Sequence, residues 1–191
     1  SLWHYPVQAY QFPVGLTEPH PYPSNPWSWM VLGRPVSYYY EDPTLGQNGC
    51  LADQCSQAVL AVGNPALWWG SLLVLPVLLA AWAGRRDWRA GAVLVGVAAG
   101  YLPWFGYQGR TIYSFYAVVF APFLVLGTTM VVGWLLGGPE ASLRRRTWGA
   151  GLGGAYLLIA VLLFWWLYPV LAGQVIPYEE WQLRMFLPSW V

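Results

Sequence analysis

Tyr101 to Phe123 reads YLPWFGYQGRTIYSFYAVVFAPF, with one arginine, Arg110, between two apolar runs. A guanidinium at such a boundary is costly unless it reaches the interface or meets an anion, because a bilayer interior solvates ions poorly. Tyr113 and Ser114 stand at i+3 and i+4, so a helix beginning here would place all three on one face. Helix starts also carry positive dipole and free amide groups, which suit a phosphate. On position alone the competing reading is that Arg110 snorkels to lipid headgroups. A second cluster, His20, Trp27 and Arg34, lies in HPYPSNPWSWMVLGRPVSYYYE. Aromatic and arginine side chains commonly line sugar and phosphate clefts. The competing reading makes Trp27 and Trp29 interfacial anchors and has His20 and Arg34 pin the loop. Cys50 and Cys55, in GCLADQC, have no nearby histidine or further cysteine and so cannot complete a four-ligand zinc site by themselves. A small disulfide-closed loop on the oxidising side of a membrane is expected, with two free thiols as the alternative.

The elements that must position these residues follow from composition. The 191 residues are 57% hydrophobic and 9% charged, with 18% aromatic and 14 tryptophans, against roughly 25% charged in an average soluble domain. An all-α membrane protein of one or at most two structural units is expected. All nine basic residues are arginine and the formal net charge is +1, so no basic surface argues for nucleic acid. The opening SLWHYPVQAYQ lacks an initiator methionine, a basic stretch and a long apolar core, so it is not read as a signal peptide. The chain reads as a part of something longer.

Residues 1–64 contain no run long enough to cross a bilayer but are rich in Pro, Tyr and Trp; they are expected to form an outer interfacial segment and loop. Pro6 and Pro13 are expected to limit any helix between them to a short piece, and Tyr38 to Tyr40 to form a short strand. Four apolar stretches follow in residues 65–172, at Ala66 to Ala83, Ala90 to Phe105, Ile112 to Leu136 and Ala150 to Leu171, each set against the about 20 residues a spanning helix needs. The second ends at Pro103 and is short unless it borrows Trp88 and Arg89. Arg85, Arg86 and Arg89 mark the first connection and Arg144, Arg145 and Arg146 the third, which places both in the cytoplasm by the positive-inside rule. The N-terminal loop, Arg110 and the C-terminal tail then lie on the outer face, in agreement with the cysteine argument. The tail, residues 173–191, carries Trp181, Phe186 and Trp190 with Glu179, Glu180 and Arg184, and is expected to be an interfacial helix resting on the membrane surface. Gly149 to Gly154 follow no strand and so argue for close helix packing, not for a dinucleotide site.

The loop HPYPSNPWSWMVLGRPVSYYYE, the cysteine pair, GNPALWWGS at Gly63 to Ser71, QGRTIYSFYAVVFAPF and the ending WQLRMFLPSW together resemble the C-terminal four-helix region of bacterial protein O-mannosyltransferases, of the GT-C class. The resemblance covers almost the whole chain in the same order. It implies transfer of mannose from polyprenyl phosphate mannose to Ser or Thr hydroxyls of secreted or membrane proteins at the outer face of the cell membrane. It also implies that the catalytic acid lies in the N-terminal half of the same enzyme, leaving no catalytic residue in this segment and a fragment inactive alone. Carried over onto matching positions, Arg110, Tyr113 and Tyr116 become donor-phosphate contacts, and His20, Trp27 and Arg34 sugar or acceptor contacts. A catalytic role for His4 is not supported, because it aligns with neither of the histidines that precede the loop in the family. No cofactor or metal is expected in this segment. Were this chain active alone, Glu41, Asp42 and Asp53 would be the residues to consider as base. Two other classes compete: a transporter piece, for which the spans offer mainly Ser71, Ser114, Thr128 and Thr129, and a non-catalytic scaffold or assembly module.

Overall fold

The computed structural model describes residues 3–15 and 17–191; Ser1, Leu2 and Leu16 of the expected outer segment lie outside the described residues. Four apolar helices make the body: α2 (Pro65–Arg85), α3 (Trp88–Tyr101), α4 (Ala121–Leu136) and α5 (Leu143–Leu171). Each start has a local cause. Asn64 caps α2 by accepting from Ala66 N–H, with Pro65 in the first turn, where the missing N–H costs nothing. Asp87 caps α3 and Ser142 caps α5 in the same way. With its 3-10 continuation to Tyr107, forced by Pro103, the second helix runs Trp88–Tyr107; this segment, α2 and α5 are long and apolar enough to cross a membrane, and α4 is a shorter apolar helix. The helix does begin at Trp88, as the short second stretch requires.

Two expectations change. α1 (His4–Val14) runs through both prolines: Pro6 falls in its first turn, where the backbone N–H groups have no partner within the helix, and Pro13 is its last residue but one. The third apolar stretch is not one helix from Ile112. Tyr113 is extended (φ −132°, ψ 149°), a 3-10 turn occupies Ser114–Val119, and α4 starts only at Ala121, followed by Pro122. Arg110 therefore precedes the helix by a full extended step and does not share a helical face with Tyr113 and Ser114.

Beside the helices sits a three-stranded antiparallel sheet, β1 (Val36–Glu41), β2 (Cys55–Ala61) and β3 (Val175–Pro177), in the order β1-β2-β3. β1 contains the expected tyrosine strand, and a register shift between Ser37 and Tyr39 makes Tyr38 a bulge. Cys50 and Cys55 form a disulfide at the entry to β2. The tail closes the sheet through β3 and then forms α6 (Tyr178–Arg184). Its rings turn inward: Trp181 is 5% and Trp190 4% exposed, which corrects the picture of a helix resting these residues on the membrane. Both rings cover the sheet and loop, and Trp190 keeps its indole N–H paired by donating to Leu32 O at 2.6 Å. Arg184, also buried, donates Nε to Trp166 O at 2.9 Å and Nη1 to Glu180 O at 2.6 Å, tying α6 to α5.

The largest core lies where loop and tail meet the helix ends, around Trp29, Phe120, Leu124, Leu167 and Val170; a second, of Val74, Leu78, Ala81, Ala90 and Val93, joins α2 and α3. Gly149 sets the α4–α5 approach: a Cβ there would meet Leu135 O at 2.5 Å. The N-terminal loop, Arg110 and the tail gather at one end of the bundle. At the other, the two arginine-rich connections meet, with Arg85 4.9 Å from the Trp134 ring and Arg145 donating to Trp134 O.

Candidate functional site

Arg110 sits half-buried in the bend between the end of the second helix and the 3-10 turn before α4. The segment folds this way because Pro103 tightens the end of the helix into 3-10 geometry, which runs to Tyr107, and Tyr113 is extended before the next 3-10 turn. Trp104 and Tyr116 stack with 4.5 Å between ring centroids and 11° between planes, and the guanidinium carbon of Arg110 lies 5.5 Å and 5.8 Å from the two rings. That distance is within cation–π range. Thr111 Oγ1 donates to Glu18 O at 2.5 Å, and Ser24 N–H donates to Ile112 O at 2.9 Å, so the outer loop is fastened directly across this bend.

Two hollows flank Arg110. One of about 220 Å³ is lined by Pro23, Ser24, Asn25, Gln108, Arg110 and Ile112. The other, of about 170 Å³, is lined by Gly106, Tyr107, Gly109 and Arg110. Asn25 Nδ2 donates to Gln108 Oε1 at 2.7 Å across the first. Among the described residues no carboxylate lines either hollow, so the fixed charge facing them is positive. Tyr10 reaches in from α1 to share a hydrogen bond of 3.0 Å with Tyr107. That bond, more than Coulomb repulsion or burial, raises the Tyr10 phenol above its ordinary pKa and keeps it neutral. Behind the bend lies an apolar cleft of about 310 Å³ between Trp29, Leu60, Trp68 and the 3-10 turn, including Ser114 and Phe115.

The residues singled out by sequence fall into a connected line. Tyr113 meets Tyr116 at 6.0 Å and His20 edge-on at 5.2 Å; His20 meets Tyr22 at 5.9 Å; and Arg34 lies 5.6 Å over Tyr22. The two arginines thus terminate one aromatic series. His20 is exposed, and its Nδ1 accepts from Tyr22 N–H at 3.2 Å. Arg34 donates Nε and Nη2 to Pro21 O and Nη1 to Ser189 O, a clamp between loop and tail. Its planar fork is thereby directed at backbone carbonyls. Trp27 is 72% exposed with its ring against Phe105 at 4.6 Å, apart from the line. Trp29, in contrast to an interfacial anchor, is 1% exposed and donates to Ser24 Oγ at 2.9 Å. Sequence reasoning missed Trp104, Gln108 and Asn25. Only the proximity of Trp104 and Gln108 to Arg110 in the chain could have flagged them. Among the described residues no three His, Cys, Asp or Glu side chains come together.

A family model described as the C-terminal four TMM region of protein-O-mannosyltransferase matches residues 1–190. Polyprenol-phosphate-mannose–protein mannosyltransferase of Mycobacterium tuberculosis (strain CDC 1551 / Oshkosh) is 45% identical over 199 residues, which cover 100% of this chain and 37% of that protein. The protein of the same name from Mycolicibacterium smegmatis (strain ATCC 700084 / mc(2)155) is 43% identical over 194 residues, with 100% and 37% covered. That from Corynebacterium glutamicum is 32% identical over 98% of this chain and 36% of its own length. The structure of the S. cerevisiae protein O-mannosyltransferase Pmt1-Pmt2 complex bound to the sugar donor shares the fold, with a TM-score of 0.72, 23% identity, and 97% of this chain and 26% of that one covered. This chain therefore spans little more than a third of the length of these bacterial relatives, at 37%. It belongs to the protein O-mannosyltransferase family, as the C-terminal four-span region of that family.

Proposed function

We propose that the chain is the C-terminal part of an enzyme that transfers mannose from polyprenyl phosphate mannose to Ser or Thr hydroxyls of secreted or membrane proteins, at the outer face of the cell membrane. Arg110 takes the lipid-linked phosphate, with Tyr113 and Tyr116 beside it. The observation that carries this reading is the placement of Arg110 against Trp104 and Tyr116, facing two hollows that no carboxylate lines among the described residues, at the end of the bundle where loop and tail gather. A cation held by rings in a partly dry site interacts strongly with an anion. The donor and the protein acceptor are those for which the relatives, polyprenol-phosphate-mannose–protein mannosyltransferases, are named. The adjoining apolar cleft suits the first isoprene units of the donor.

In an inverting transfer the acceptor hydroxyl oxygen attacks the anomeric carbon, its proton goes to a carboxylate base, and the bond from sugar to phosphate oxygen breaks. Negative charge develops on the departing phosphate, and Arg110 stabilises it there. The carboxylate belongs to the N-terminal half of the enzyme. His20 and Trp27, both exposed beside the site, contact the sugar or acceptor; Arg34 holds loop to tail. In the complete enzyme, Arg110→Ala lowers turnover by about 100-fold, and Arg110→Lys restores part of it through charge without the planar fork. Full activity of Arg110→Ala in a radiolabelled transfer assay contradicts the assignment.

A further inference from the structure

The end of the bundle away from Arg110 is built of two connections, residues 84–89 and 137–148, which carry six arginines against two carboxylates, Asp87 and Glu140, a net +4. All six arginines are exposed. The fold brings the two connections to one residue, since Arg85 lies 4.9 Å over the Trp134 ring and Arg145 Nη2 donates to Trp134 O at 2.8 Å. Arg89 is taken up by Asp87 through bonds of 3.0 Å and 2.9 Å. Arg86, Arg144 and Arg146 have no ion-pair partner among the described residues, and Glu140 is unpaired as well. Arg144, Arg145 and Arg146 also occupy the first turn of α5, where the helix dipole disfavours cations and no acidic residue stands. The protein therefore gathers more positive charge here than it offsets.

What offsets the rest is set by depth. The segments long and apolar enough to cross a membrane meet these connections, α2 ending at Arg85, the second helix starting at Trp88 and α5 at Leu143. Trp88 and Trp148 are 75% and 65% exposed beside the arginines, as rings at headgroup level are. Arginines at that level face phospholipid, and the guanidinium fork matches a pair of phosphate oxygens. A zwitterionic headgroup brings a cation with its phosphate and adds no net charge; an acidic headgroup brings the negative charge that the protein lacks. Insertion of the helices in one direction asks only that arginines stay on one side, whereas retention of acidic lipid is a property of the folded surface.

We propose that this end of the bundle holds acidic phospholipid headgroups, with Arg86, Arg144 and Arg146 donating to their phosphate oxygens and Arg85 and Arg145, both fixed on Trp134, joining the two connections into one surface. The test titrates the complete enzyme in detergent with phosphatidylglycerol or with phosphatidylcholine of the same acyl chains. Bound lipids are counted by native mass spectrometry, a readout that needs no mannose transfer. Phosphatidylglycerol is retained over phosphatidylcholine. Arg86→Gln combined with Arg144→Gln and Arg146→Gln weakens its binding about 100-fold, at about fivefold for each arginine, and leaves phosphatidylcholine binding unchanged. Glu140→Gln removes the unpaired carboxylate and strengthens phosphatidylglycerol binding about fivefold, a change of opposite sign that decides the matter if the triple variant does not fold. Equal binding of the two lipids overturns the proposal. So does phosphatidylglycerol binding that neither substitution alters, the result expected if an acidic segment elsewhere in the enzyme covers the arginines. Displacement of the lipid by millimolar inorganic phosphate makes the surface a site for free anions and overturns it as well.

Discussion

Arg110 and Arg34 end the same series of rings but are held differently. Arg34 holds Pro21 and Ser189 carbonyls with its fork, so Arg34→Ala is expected to destabilise the loop by about 2 kcal/mol while leaving the KM for donor unchanged, as thermal denaturation and donor titration would show. Loss of that stability effect together with a raised donor KM would reverse the assignment. Trp104, stacked on Tyr116 and next to Arg110, has the opposite profile. Trp104→Ala is expected to lower kcat roughly tenfold through a loosened guanidinium, in line with a cation–π contact of about 0.5–2 kcal/mol, and an unchanged kcat counts against it. That Arg110 would sit at an end of the helices was legible in the sequence, because one charge between apolar runs has few destinations. Asn25 and Gln108 were not, because their hydrogen bond joins residues 83 positions apart and no local pattern records it.

At the scale of elements, hydropathy found the four helices but misplaced the start of α4, since apolar content does not report that Tyr113 is extended and the next turn 3-10. The tail shows the same limit: Trp181 and Trp190 have the composition of a membrane-surface helix, yet β2 offers them a sheet to cover, and pairing at that range leaves no local signal. Cysteine spacing, in contrast, was enough for the Cys50–Cys55 bridge. Its reduction, or Cys50→Ser with Cys55→Ser, is expected to cost about 2 kcal/mol by the loop-entropy estimate for so small a ring; an unchanged melting temperature in dithiothreitol contradicts this. Gly149→Ala drives a methyl into the Leu135 carbonyl and is expected to destabilise the α4–α5 pair by about 1–3 kcal/mol, whereas Gly151→Ala, inside α5 with open space around it, is expected to stabilise by about 0.5–1 kcal/mol. Asp87 accepts from Arg89 Nε at 3.0 Å, and this bond, outweighing burial, holds its carboxyl below the ordinary carboxylate range. A folded-state pKa that is depressed contributes stability above the unfolded value and loses it as pH falls through the folded one. Asp87→Asn is therefore expected to be less stable at neutral pH and to flatten the acid limb of the stability profile, measured by chemical denaturation between neutral pH and the acid range.

At the scale of the molecule, everything the sequence assigned to the outer face collects at one end: the loop bonded across the Arg110 bend, the sheet closed by the tail, and the cavities between them. At that end the two hollows beside Arg110 present this one cation, the Tyr107 ring and the amides of Asn25 and Gln108 and, among the described residues, no carboxylate, which is half of what the proposed inverting transfer requires. The chain also spans 37% of its mycobacterial relatives. The proposed site is thus divided, with Arg110 on this side of it and the base on the other. The most direct measurement is mannose transfer from polyprenyl phosphate mannose to a Ser/Thr peptide in membranes carrying this chain alone, the N-terminal half alone, or both. Activity is expected only with both, with a loss of about 100-fold when the C-terminal half carries Arg110→Ala. Activity from this chain alone would place a base among Glu41, Asp42 and Asp53 and contradict the divided site.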